Sequence, residues 1–304
     1  LKHTILLKIW YIDEYPCEAT KHAVPPPKIA IAFAKRKDSA VMKPDYKNWF
    51  PLWMLVIVLC ICALCLAAVL LFTFTHIIVN TVLKLMLSVV FGFLFVFFTA
   101  NFIWCLKAHN AFSYSGKRKL AKQIVEGVAA YVAVPAGGSI LDVGCGSGAL
   151  TIACAKRNPE AVITGLDRWG KEYPGYGKAV CERNATAESV QNVVFLDGNA
   201  LKLSFPDESF DAVTSNYVYH NIHNQNKQKL LLETLRVLKK GGMFAIHDLM
   251  SSRNYGDMSA FVEELKKQGY EKAELICTTN GIFMSSKEAK MLHLDSSTIL
   301  YGVK

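Results

Sequence analysis

The sequence predicts an α/β fold: a doubly wound, mainly parallel sheet of seven strands with an antiparallel edge strand, preceded by a transmembrane hairpin of two helices. Three observations carry this. From residue 117 onward, short apolar runs alternate with segments of helical periodicity. The first of those runs ends in a glycine-rich turn, "DVGCGSG" at 142–148. Upstream, residues 52–74 and 85–105 are two runs without a charge.

The hairpin comes first in the chain. "LWMLVIVLCICALCLAAVLLFTF" (52–74) would be roughly 34 Å long as a helix, enough for a hydrocarbon core of about 30 Å. "LMLSVVFGFLFVFFTANFIWC" (85–105) is a second span, and Trp49, Trp53 and Trp104 stand near the span ends, where indole rings favour the interface. Lys35, Arg36, Lys37, Lys43 and Lys47 precede the first span, and Lys107, Lys117, Arg118 and Lys119 follow the second. The connecting loop has only Lys84. This asymmetry puts both termini and the catalytic part in the cytoplasm, with the plasma membrane as the expected site. The competing reading is a helical hairpin buried in a soluble core. Neither span holds an ionisable residue, so an anchor is expected and not a transport path. The expected division is a cytosolic segment at 1–48 with a "VPPPK" linker at 24–28, a hairpin at 49–106, and a catalytic domain at 107–304.

Charge and cysteines narrow the class. Residues 1–105 carry 10 Lys and Arg against 5 Asp and Glu, and residues 106–304 carry 24 against 20. The catalytic part is therefore not strongly basic, and nucleic acid is not the expected partner. Nine cysteines are scattered. "CALC" (62–65) lies within a span, where buried small residues are expected, and no Cys/His spacing suggests a metal. The scatter suits a reducing compartment. Residues 1–15 lack a signal-peptide pattern, since Lys8 interrupts the apolar stretch.

The catalytic elements then follow in order. Apolar positions 120, 121, 124, 125, 128 and 132 make a helix. "GGSILDVG" is a strand, and "GALTIACAKRNP" a helix stopped by Asn158-Pro159. Strands are expected at 161–167, 192–197, 210–218 and 243–250. Helices are expected at 175–189 and 228–242, the latter closed by Gly241-Gly242. "AELICTT" and "SSTILYGVK" supply a last strand pair, with "NGIFMSSKEAKMLHLD" (280–295) as a cap over the pocket.

Ligands of such sheets bind beyond the carboxyl ends of the strands. There stand Asp142 with Gly144, Gly146 and Gly148 after strand one, and Asp167, suited to ribose hydroxyls, after strand two. Asn199, able to reach a base edge, follows strand three. Asn216, Tyr217, Tyr219 and His220 follow strand four, and Asp248 strand five. Gly144-x-Gly146-x-x-Ala149 also satisfies the dinucleotide fingerprint, so a nicotinamide-dependent oxidoreductase remains open at this point.

"LDVGCGSG", "GLD", "DGNALKLSFPDESFDAV" and "RVLKKGG", in that order, resemble the class I S-adenosylmethionine-dependent methyltransferases, within them the branch of quinone-biosynthesis-type and related small-molecule enzymes. The resemblance covers roughly residues 110–304 and implies a Rossmann-like domain with S-adenosyl-L-methionine as cofactor. It implies that Gly144, Cys145, Gly146 and Gly148 pass beneath the methionine and ribose, Asp142 meets the ammonium, and Asp167 holds the ribose. Arg168 and Trp169 would flank the adenine. Asn199 and Ala200 take the place of the family's Asp-Ala, and Asn216 joins the cofactor shell. "LSF" (203–205) departs from the family's Leu-Pro-Phe. The expected function is transfer of a methyl group to a small-molecule, lipid or quinone-like acceptor at the membrane. His220 is the candidate general base, competing with a purely structural role. Tyr114, Tyr219 and Asp248 are candidate acceptor contacts, with Ser115 beside Tyr114 as a lid. A non-catalytic cofactor-binding membrane protein is the third alternative.

Overall fold

The computed structural model describes residues 43–170 and 175–304, so the expectations for the first 42 residues, including "VPPPK", lie outside it. In chain order the elements are α1 (Leu52–Phe74), α2 (Thr81–Phe112), α3 (Leu120–Ala129), β1 (Ser139–Val143), α4 (Ala149–Arg157), β2 (Val162–Asp167), α5 (Lys178–Ala187), β3 (Val193–Asp197) and β4 (Phe210–Asn216). After a 3-10 turn at Tyr219–Asn221 come α6 (Lys227–Arg236), β5 (Leu238–Leu249), α7 (Ser252–Tyr255), α8 (Met258–Lys267), β6 (Lys272–Cys277), α9 (Ser286–Leu292) and β7 (Ser297–Val303).

The seven strands lie in the order β3-β2-β1-β4-β5-β7-β6. The first five are mutually parallel, and β7 runs antiparallel to both β5 and β6. The reversed strand is thus one place in from the edge, and β6 is outermost. Alternation along the strands sorts the core. Ile140, Ile163, Ala212, Ala245 and Ile299 face one side with α3 and α4. Leu141, Val213, Phe244, Ile246 and Leu300 face the other with α6 and α8.

The hairpin helices pack on each other, but their outer surfaces are apolar and bare: Leu64 is 70% and Phe93 71% exposed. Among the described residues nothing covers these faces, as the helices of a core hairpin would be covered. Cys62 and Cys65 are buried free thiols in α1. At its lower end α2 continues past the second span to Phe112, where Cys105, Ala108, Ala111 and Phe112 are buried. These residues share one apolar cluster with Phe50, Leu55, Ile124 and Phe283. The expected domain boundary at 106/107 therefore falls inside a continuous helix with a common core.

The helix expected over 228–242 stops at Arg236. Its guanidinium is held by Glu233 (2.9 Å), Asp207 (2.6 Å) and the carbonyls of Leu203 and Phe205 (both 3.0 Å). Lys239 then reaches Asp211 in β4 (2.8 Å), and Gly241 sits in β5, where its N–H donates to Lys304 O at 2.6 Å. Gly241-Gly242 serve a register shift between β4 and β5, not a helix cap. The 280–295 insert packs on the α3 side: Arg118 bonds Glu288 (2.6 and 2.8 Å), and Trp104 Nε1 donates to Met291 O (2.6 Å).

Gly127 in α3 tests this packing. A Cβ there would meet the buried Phe283 ring at 2.2 Å. Gly127→Ala gains about 1 kcal/mol of helix propensity but incurs overpacking of typically 1–3 kcal/mol. The variant is expected to unfold at lower denaturant than wild type in detergent; a raised midpoint would contradict the tight Phe283 contact.

Candidate active site

The site is built on the turn between β1 and α4. Gly144, Gly146 and Gly148 have φ of +75°, +57° and +80°. Gly144 has a second reason to lack a side chain, because a Cβ would stand 2.4 Å from Val218. The backbone N–H groups of Gly144 and Cys145 both donate to Leu166 O (2.7 and 3.1 Å), tying the turn to β2. Cys145 itself is buried, its side chain in one cluster with Ile152, Cys181 and Phe195.

Asp167, at the end of β2, locks the arrangement. Its Oδ2 accepts from Gly146 N (2.8 Å) and its Oδ1 from Trp169 N (2.8 Å). Trp169 has φ +40° and returns its indole N–H to Gly146 O at 2.8 Å. Each carboxylate oxygen keeps a second acceptor direction for a ligand hydroxyl. Arg168 is exposed beside it. Asp142 lies beneath the turn, 1% exposed, with Thr151 Oγ1 donating to it at 2.6 Å and Thr214 Oγ1 at 3.3 Å.

Other expected cofactor residues sit differently. Asn199 is exposed at the end of β3, and its Oδ1 accepts from Leu201 N at 2.9 Å, so its side chain shapes the local turn. Ala200 packs against the α6 side of the core. Asn216 Oδ1 lies 2.8 Å from His247 Nδ1, which turns that amide into the sheet and away from the turn.

Two expected acceptor contacts are corrected. Tyr219 is fully buried, its hydroxyl 2.5 Å from Thr234 Oγ1. Asp248 is fully buried as well. Its Oδ2 accepts the backbone N–H groups of Val218 (3.1 Å), Tyr219 (2.7 Å) and His220 (3.4 Å), and its Oδ1 lies 2.5 Å from His220 Nδ1. Asp248 therefore holds the 3-10 turn and orients His220. Burial would raise its carboxyl, but His220 and the Leu249 N–H hold it below the usual carboxylate range. Neither Asp248 nor His247 is open to a pocket, because both lie inside the sheet layer.

Tyr114 stacks on Tyr46 (4.8 Å between ring centroids), and its buried hydroxyl has no hydrogen-bond partner among the described residues. Ser115 is exposed next to it. Two further residues contribute here that the sequence did not assign to the site. Trp49 meets Tyr217 edge-on at 5.4 Å, joining the hairpin base to the end of β4. Asn184, 2% exposed, bonds the glycine turn through Ser147 O at 2.9 Å. A polar residue on the Cys181–Ala185 face of α5 was the available signal for it.

Residues 141–246 match the family model described as a methyltransferase domain. The chain is 36% identical over 116 residues to the demethylmenaquinone methyltransferase of Listeria monocytogenes serotype 4a, covering 38% of this chain and 46% of that protein. It is 27% identical over 147 residues to the 27-O-demethylrifamycin SV methyltransferase of Amycolatopsis mediterranei, covering 48% and 52%. The chain thus spans about half the length of the curated relatives it matches. Among solved structures, the [4+2]-cyclase SpnF aligns over 62% of this chain and 82% of its own, with 19% identity and a TM-score of 0.48.

Two buried groups of the sheet act oppositely on the pH dependence of stability. Burial pushes the Asp142 carboxyl up to about 7, against the Thr151 and Thr214 hydroxyls. Burial pushes His247 down to about 3. Between the ordinary 3.8 and about 7, Asp142 is protonated only when folded, so its contribution falls as pH rises. Between about 3 and the ordinary 6.5, His247 is protonated only when unfolded, so its contribution grows as pH rises. The two slopes oppose each other over the shared window. Asp142→Asn removes one of them: relative to wild type, its stability should fall on acidification from about pH 6.5 to 4 by up to roughly 1.4 kcal/mol per unit. Parallel stability profiles for the two proteins would show that Asp142 is ionised in the folded state.

Proposed function

We propose that the chain is a membrane-anchored methyltransferase that uses S-adenosylmethionine to methylate a small apolar acceptor, lipid or quinone-like, at the bilayer surface. The observation that carries the reading is the left-handed glycine turn fastened to Asp167 at adjacent strand ends, within the stretch that matches the methyltransferase domain. The residues present fit the cofactor. The turn is built on three left-handed glycines, Asp167 keeps acceptor directions for ribose hydroxyls, and the Tyr114 hydroxyl, unpartnered among the described residues, lies among the residues packed at the turn. Bound S-adenosylmethionine supplies a methyl group already activated by a sulfonium, so the protein must align an acceptor and exclude water.

His220 is the chain's proton acceptor in this reading. With its Nδ1–H donating to Asp248, Nε2 keeps its lone pair for an acceptor proton. The 3-10 turn carrying His220 abuts the glycine turn through Val218 and Gly144, which supports a base close to the cofactor. The apolar acceptor is supported by the hairpin base. Trp49 and Phe112 pack together (5.5 Å) where Trp49 meets Tyr217, so the lower end of the hairpin continues into the end of β4. Both helices are long and apolar enough to cross a membrane. The one relative named above for a quinone substrate, demethylmenaquinone, accords with this choice.

Calorimetric titration with S-adenosylhomocysteine tests the cofactor. Asp167→Ala should weaken binding by about 1.5–3 kcal/mol, the range for a charged hydrogen bond. NADH binding with no response to S-adenosylhomocysteine would favour the oxidoreductase reading instead. His220→Gln should leave that affinity unchanged and lower turnover by about 10²-fold or more, assayed as transfer of labelled methyl groups into membrane extracts. Label appearing only in water-soluble products would overturn the apolar acceptor.

A further inference from the structure

The segment just before α1 lies across the glycine turn. Asn184 in α5 reads its backbone as a peptide group would: Asp45 N donates to Asn184 Oδ1 (2.7 Å), and Asn184 Nδ2 donates to Asp45 O (3.0 Å). The same Nδ2 donates to Ser147 O (2.9 Å), inside the turn. Ser147 Oγ in return donates to Tyr46 O (2.9 Å). Four bonds thus join residues 45–46, Asn184 and Ser147 into one network, with Tyr46, Ser147 and Asn184 all buried. Tyr46 adds a hydroxyl bond to Glu188 (3.0 Å) and its stack on Tyr114.

The other end of this strap is fastened to the hairpin. Asn48 Nδ2 donates to His109 O in α2 (2.8 Å), and His109 Nδ1 lies 2.8 Å from Phe50 O. Beside the Tyr46 contact with Ile152, an open cleft of about 730 Å³ lies between the strap, α3 and α4, with Lys122, Glu126 and Lys156 in its lining. Apart from the Tyr46 side chain, polar bonds hold the strap to the turn.

We propose that residues 45–46, held by Asn184, are positioning residues of the cofactor site: they fix Ser147, and with it the glycine turn, in the conformation that binds S-adenosylmethionine. The inference rests on the cofactor reading given above. It makes cofactor affinity a property of the whole chain, hairpin base included, and not of the matched domain alone. By linkage, a strap that strengthens cofactor binding is itself stabilised by the cofactor to the same extent.

Asn184→Asp is the decisive variant. It keeps the size and shape of the side chain but sets a carboxylate oxygen against the carbonyls of Asp45 and Ser147. The full chain in detergent is titrated with S-adenosylhomocysteine, and hydrogen exchange is followed in peptides covering 43–50. Expected are a Kd raised about tenfold or more, a KM for S-adenosylmethionine raised with kcat little changed, and strap amides that exchange more slowly in wild type when S-adenosylhomocysteine is bound. Ser147→Ala, which removes only the bond to Tyr46 O, should raise the Kd in the same direction and combine non-additively with Asn184→Asp. If Asn184→Asp fails to fold, Ser147→Ala and wild-type exchange carry the test. Wild-type affinity in a folded variant, or strap exchange indifferent to the ligand in a wild-type chain that binds it, would overturn the strap's role. A wild-type chain that does not bind S-adenosylhomocysteine at all would overturn the cofactor reading instead.

Discussion

The chain leaving β1 must reverse into α4 where β2, β4 and the 3-10 turn all press against it, and it can do so only as a nearly bare backbone. Val218 occupies the space a side chain at 144 would need, and the three glycines adopt φ values that other residues rarely accept. Such a backbone is intrinsically loose, because glycine surrenders the most conformational entropy on folding. Its order is imposed from outside. Leu166 O takes two of its N–H groups, Asp167 a third, the Trp169 indole caps Gly146 O, and Asn184 holds Ser147 O. Asp167 is central, since one carboxylate fixes both the turn and the loop that follows β2.

The same economy appears on the other side of the turn. Asp248 gathers four backbone N–H groups and one imidazole, so a single buried charge shapes the 3-10 segment and aims His220. A buried carboxylate is costly unless its acceptor sites are filled, and here they are. His247, the next residue back on β5, is kept neutral by burial and bonded to Asn216 and Thr278. Neighbours on one strand thus serve different purposes: one anchors a neutral lattice within the sheet, the other a candidate base.

Much of this was legible in the residues because apolar runs and glycine spacing are local signals. The strands, the turn and Asp167 at the end of β2 follow from periodicity and from where such sheets bind ligands. What was not legible depends on contacts distant in sequence. Gly241-Gly242 reads as a helix stop, yet Arg236 ends the helix earlier by bonding residues about 30 positions upstream. Tyr219 and Asp248 stand at strand ends, where strand alternation no longer dictates direction, and both turn inward. Asn199 looks like a base-edge ligand but satisfies its own turn. Asn184 and Asp45 lie 139 positions apart, beyond any local pattern.

The length of α2 carries one further consequence. Its 32 residues would extend roughly 48 Å, well beyond the roughly 30 Å of a bilayer's interior, and its last turns are embedded in the core that underlies the sheet. It is a mast, not a leash. In the membrane-anchored state proposed above, a domain mounted on such a mast would not tumble independently of its support, and its mouth would keep one height and one heading relative to the lipid surface. Encounter with an acceptor would then become a search in two dimensions, in which lateral density, and not bulk concentration, sets the supply.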